Sequence, residues 1–120
     1  MKRPTHKELD SKIKQALVAA RKGMIDLVER VPIVIDAFEL GYDVADLQQI
    51  LTEVLQMLRP EYYAGTSPPQ KSYEIEIQGV ELFAFRFFFQ QFGCEMYVKF
   101  AIKDEKVMLV SFHKHRVNKG

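Results

Sequence analysis

The sequence predicts an α+β domain, with three N-terminal helices packed on a four-stranded antiparallel sheet. Apolar residues recur at helical spacing as far as Leu58, the hydrophobic period switches to two from Ser72, and a stretch rich in Pro, Gly and Ser separates the two regimes. The expected layout is a helical part at 5–59, a loop at 60–72, a sheet at 73–113 and a basic tail at 114–120, all in one domain. A chain of 120 residues that is 48% hydrophobic can bury a single core and is not disordered.

The first helix starts where Thr5 and Glu8 stand at capping-box spacing. Leu9, Ile13, Ala16, Leu17 and Ala20 then make one apolar stripe, and Gly23 is a natural stop. Met24 to Arg30 offers a turn or two of a second helix that Pro32 breaks or restarts, and Ile33 to Leu40 runs to a second stop at Gly41. Asp43 suits the N-cap of the third helix. Leu47, Ile50, Leu51, Val54, Leu55 and Leu58 form its apolar face, and Pro60 ends it.

In the back half, Tyr73, Ile75 and Ile77 alternate with polar residues up to Gly79 and predict a first strand. Val80 to Gln90 has two apolar faces: Phe83, Phe85, Phe87 and Phe89 on one, and Val80, Leu82, Ala84 and Phe88 on the other, with Arg86 among the latter. Cys94 to Lys103 and Val107 to His113 complete the sheet. The phenylalanine series is large for a core of this size, so any exposed part marks a partner surface or an aggregation-prone edge.

Composition narrows the function. Residues 1–30 carry eight Lys/Arg against four acids, residues 31–70 carry one against six, and residues 71–120 carry eight against six. The net charge of +1 argues against a protein that coats nucleic acid, although a basic C-terminus ending in His113-Lys114-His115-Arg116 and Lys119 can still hold a few phosphates. Cys94 is the single cysteine, which excludes an internal disulfide pair and a multi-cysteine zinc site and suits a reducing cytoplasm. The start lacks the apolar stretch of a signal peptide, and no run is long enough for a membrane span.

Four polar residues interrupt otherwise apolar strands: Arg86, Tyr97, Lys99 and His113. Tyr97 and Lys99 share a face by spacing, and if Gln90 to Gly93 form a four-residue loop, Arg86 lies across from Tyr97. The last hairpin decides whether His113 joins them. A three-residue loop, Asp104 to Lys106, pairs Tyr97 with His113 and Lys99 with Ser111, whereas a two-residue loop, Asp104-Glu105, turns His113 to the opposite face. If all four converge, they supply what RNA cleavage by its own 2′-hydroxyl needs: cations for the phosphate, and groups to remove one proton and deliver another. That chemistry requires no metal or other cofactor.

Plainer readings stand beside this one. Arg86 can pair with Glu95 or Glu81, Tyr97 can be a half-buried strand aromatic, and Lys99 and Lys103 can be the solvent face of an edge strand. His113 and His115 share strand spacing, but no third residue completes a zinc site. No Gly-rich phosphate loop and no nucleophile motif occurs.

The segments Glu39-Leu40-Gly41-Tyr42-Asp43-Val44, Glu61-Tyr62-Tyr63, Tyr97-Val98-Lys99-Phe100 and Val107-Met108-Leu109-Val110-Ser111-Phe112-His113 resemble the MqsR family of toxins from bacterial type II toxin–antitoxin systems. The resemblance covers most of the chain and rests on short motifs. It implies a RelE-like fold, metal-independent cleavage of messenger RNA and neutralisation by a cognate antitoxin protein. Carried over, Tyr97 matches the family's catalytic tyrosine, His113 stands where the family places a functional lysine, and Arg86 matches an arginine on the preceding strand. The family's lysine after the loop tyrosine is Ala64 here, with Lys71 as a substitute, and its strand glutamine has no counterpart. The expected site is therefore Arg86, Tyr97, Lys99 and His113, with Lys71, Tyr63, His115 and Arg116 as further RNA contacts. The rival expectation is a non-catalytic module of the same fold that binds a protein partner or RNA.

Overall fold

The computed structural model describes residues 3–116. It is α+β, with three helices and a four-stranded sheet: α1 (His6–Arg21), β1 (Ile25–Leu27), α2 (Arg30–Leu40), α3 (Leu47–Met57), β2 (Phe83–Phe89), β3 (Cys94–Lys103) and β4 (Lys106–Lys114). No helix among the described residues is long and apolar enough to cross a membrane. Of the expected basic tail, residues 117–120, Lys119 included, lie outside the described residues.

The helices follow their local signals. Thr5 Oγ1 accepts the Glu8 amide at 3.1 Å, which satisfies one of the free N–H groups that open α1. Gly23 takes φ +73°, and the Gln48 side chain packs 3.4 Å from where a Cβ would sit while its amide donates to the Ala20 carbonyl. The positive φ favours glycine there, while the Gln48 contact leaves room for a Cβ at ordinary van der Waals distance. Asp43 accepts the Ala45 amide at 2.9 Å and opens a 3-10 turn at Val44–Asp46 that leads into α3. Leu9 and Ile13 of α1 and Leu51, Val54 and Leu55 of α3 are buried against one face of the sheet, where Phe85, Val98, Phe100, Leu109 and Phe112 meet them.

The sheet is mixed rather than antiparallel throughout, with strand order β1-β4-β3-β2. The expected strand at 73–78 does not form: Ile75–Ile77 is a 3-10 turn, Tyr73 and Ile75 face solvent, and only Ile77 is buried. The fourth place goes to Ile25–Leu27, which pairs parallel to β4 with Ile25 beside Val107 and Leu27 beside Leu109. The turn or two of helix expected over Met24–Arg30 is absent, because Met24 and Val28 extend this ladder through Val107 N–H to the Met24 carbonyl and Val28 N–H to the Leu109 carbonyl. The helix that follows starts at Arg30 and takes Pro32 into its first turn, where a missing N–H leaves no bond unmade.

Residues 70–82 form a lobe held at its base by Leu82 N–H to the Gln70 carbonyl, Ser72 N–H to the Val80 carbonyl and Gly79 N–H to the Ser72 carbonyl. Buried Ser72 also accepts the Glu74 amide. The lobe sets Ile77 onto Ala101, Met108 and Val110, a second and smaller core on the face of the sheet opposite the helices. It covers part of that face, and the rest carries the polar residues described next.

Candidate functional site

Strand pairing brings the four expected residues to one face. β2 and β3 are joined by Gln90–Gly93, and Arg86 lies directly across from Tyr97. Tyr97 lies across from His113, and Lys99 across from both Ala84 and Ser111. Directly paired residues stand on the same side of a sheet with Cβ atoms about 5 Å apart, so Arg86, Tyr97 and His113 form a row across three strands, with Lys99 one step along it. Lys99 sits on a central strand, not an edge.

This register arises by neither of the two routes weighed from the sequence, a three-residue loop that aligns His113 with Tyr97 or a two-residue loop that turns it away. Lys103 pairs with Lys106, so the turn is the two-residue Asp104-Glu105, with both residues at positive φ (53° and 62°). Such a turn alone would send His113 to the helix side. A β-bulge between the pairs Phe100–Leu109 and Lys99–Ser111 leaves Val110 unpaired and shifts the ladder by one residue. Val110 and Ser111 fall at the shift, Val110 enters the smaller core, Phe112 enters the main core, and His113 returns to the open face.

At the centre of the row the Tyr97 and His113 rings stack, with centroids 5.3 Å apart and planes inclined by 24°. Burial pushes the Tyr97 phenol above its ordinary value, so it is a neutral hydrogen-bond donor near pH 7. His113 Nδ1 lies 2.8 Å from the Lys114 carbonyl oxygen. A carbonyl only accepts, so Nδ1 carries the proton and Nε2 of the neutral ring keeps its lone pair.

The cations have acidic neighbours. Arg86 Nε lies 3.0 Å from Glu95 Oε1, as the plainer reading anticipates, and both side chains are about half exposed. Arg116 pairs at 3.0 Å with Asp36, a carboxylate buried in α2. A hydrogen bond with Glu29 pushes the Glu74 carboxyl up, and the nearby Lys99 ammonium opposes that shift. Glu29, Asp36 and Glu74 had no signal in the sequence, because the first two belong to the helical part and the third to an expected strand.

The further contacts are dispersed. His115 continues the ladder through its amide to the Glu95 carbonyl, and Arg116 lines the same groove as His113. Tyr63 lies at the sheet edge, 5.9 Å edge-on to Phe85, with its hydroxyl donating to the Thr66 carbonyl. The Lys71 backbone pairs antiparallel with that of Glu81 at the base of the lobe. Tyr63 lines a small groove with Arg86 and Glu95 at the end of the row, whereas Lys71 stands apart in the lobe. A larger groove of about 790 Å³ along α1 contains none of the row's residues. Among the described residues no cluster of three or more His, Cys, Asp or Glu is placed to hold a metal ion.

No protein-family model, curated protein or solved structure matches the chain.

Proposed function

We propose that the chain is a toxin-type endoribonuclease of RelE-like fold that cleaves messenger RNA by 2′-hydroxyl attack without a metal and is neutralised by a cognate antitoxin. The observation that carries this reading is the Tyr97–His113 stack at the centre of the row, flanked by Arg86 and Lys99. His113 Nε2 takes the 2′-hydroxyl proton, and the 2′-oxygen attacks phosphorus. The bond to the 5′-oxygen breaks, and the Tyr97 phenol protonates that oxygen; the His113 imidazolium then returns its proton through solvent to the tyrosinate, which restores both groups. The products are a 2′,3′-cyclic phosphate and a 5′-hydroxyl. Lys99 and Arg86 stabilise the charge on the phosphoryl oxygens. The Arg86–Glu95 pair does not block this role, because an exposed ion pair is worth only about 0–1 kcal/mol and a phosphate can displace it.

The test is incubation of the purified protein with a defined RNA in EDTA, with and without ribosomes, followed by analysis of the fragment ends. Cyclic-phosphate ends that vanish in Arg86→Ala and His113→Ala support the reading. Intact RNA from folded protein under both conditions sinks it. The second reading, a partner-binding module without catalysis, is favoured by the exposed Phe88 beside the row and by the neutralising carboxylates.

A further inference from the structure

Helix α2 is apolar on two sides. Ile33 and Ala37 face the core, as in any amphipathic helix. Its outer side should be polar, yet Val31, Val34, Ile35 and Phe38 are exposed there, with Val31 at 68% and Phe38 at 84%. Their spacing is i, i+3, i+4 and i+7, one continuous stripe about 10 Å long at 1.5 Å per residue. This is the anchor pattern that one helix presents to another.

One flank of the stripe is acidic. Ile35 also lines a groove of about 410 Å³ between α2 and β4, together with Glu29, Asp36 and Glu39. Among the described residues, the basic groups lining the groove are Arg116 and His113, and Arg116 is engaged by Asp36. Among the described lining residues, three carboxyl groups stand against one guanidinium and one imidazole, so acidic groups predominate on this flank.

We propose that α2 is a docking surface for an amphipathic helix of a second protein whose apolar face is bordered by Lys or Arg. The stripe supplies the contact area, and the acidic flank selects a basic partner and fixes its orientation. Through Ile35 the surface runs into the groove that holds His113, so the docked helix lies beside the row. The proposal stands whether or not the chain cleaves RNA.

The test uses a synthetic helix-stapled peptide with leucines at i, i+3, i+4 and i+7 and lysines on one flank, and a twin with glutamates in place of the lysines. Binding to the full chain is followed by fluorescence anisotropy. Phe38 and Glu39 are exposed, so Phe38→Ser and Glu39→Lys do not touch the core. Saturable binding of the lysine peptide is expected, weakened about tenfold or more by either substitution and in the glutamate twin. Equal binding of the twins, or binding indifferent to both substitutions, overturns the proposal. So does a dimer of the protein alone that Phe38→Ser dissociates in sedimentation, since the stripe then belongs to a second copy.

Discussion

Tyr97 and His113 face each other across β3 and β4 only because Val110 takes up one residue between them and the turn. Deleting Val110 removes that extra residue, so the ladder from the turn runs on without a bulge to the same Lys99–Ser111, Val98–Phe112 and Tyr97–His113 pairs. The deletion should therefore keep the fold and cost about 1.5–3 kcal/mol, chiefly the Val110 side chain lost from the smaller core, read as a lower midpoint in a circular dichroism melt. An unfolded variant would show that the strand end depends on the bulge itself and not on the register alone.

The turn itself is suboptimal. Asp104 and Glu105 both hold positive φ in a two-residue hairpin, the conformation for which Asn-Gly is the preferred pair. Replacing them with Asn and Gly should stabilise the protein by roughly 0.5–1 kcal/mol, read as a higher midpoint in urea at unchanged slope.

Tyr42 has a buried hydroxyl with no hydrogen-bond partner among the described residues, while its ring stacks on Phe92 with centroids 5.5 Å apart. Tyr42→Phe keeps the stack and removes the orphan, so stability at pH 7 should be unchanged or higher by about 1 kcal/mol. Burial, with a smaller contribution from the Asp36 charge, pushes this phenol up to about 12. Because the folded value exceeds the unfolded one of about 10, the folded state is undiminished below pH 10 and loses stability as pH rises toward 12. The variant should lose less over that interval, as measured by urea unfolding at pH 9 and pH 11.

Glu95→Gln releases Arg86 from its ion pair without changing the shape of the side chain. On the ribonuclease reading, RNA affinity should rise a few-fold at low salt, with a steeper salt dependence of about one additional phosphate contact. Unchanged affinity and slope in a filter-binding titration would remove Arg86 from the RNA face.

The lobe rests on Ile77, which is fully buried in the smaller core. Ile77→Ala should cost about 2–4 kcal/mol and should raise amide exchange at Ser72 and Gly79, whose N–H groups hold the lobe's base. Exchange unchanged there would mean that the base alone holds the lobe.

What the sequence made legible follows from how local each determinant is. Thr5, Gly23, Gly41 and Asp43 act within a turn of themselves, and each stands where its chemistry requires. β3 and the turn around Gln91-Phe92-Gly93 before it were likewise legible, and the pairing of Arg86 with Tyr97 followed from one length of that loop, the one the structure has. The errors lie where two distant segments compete. Tyr73, Ile75 and Ile77 alternate as a strand should, but alternation names no partner, and β4 is paired by Ile25–Leu27 instead. The bulge at Val110 leaves no mark in composition either. Leu109 and Val110 are both buried and aliphatic, and what separates them is which of the two cores receives each. The convergence of the row was therefore expected for one loop length and arises from another.

The parallel pairing of β1 with β4 joins parts of the chain far apart in sequence, with Asp26 and Lys106 separated by 80 positions. During synthesis, Ile25–Leu27 has no strand to pair with until β4 has followed it. Completion of the sheet therefore waits on a segment far along the chain, whereas the helices between the two strands need only their own neighbours to form.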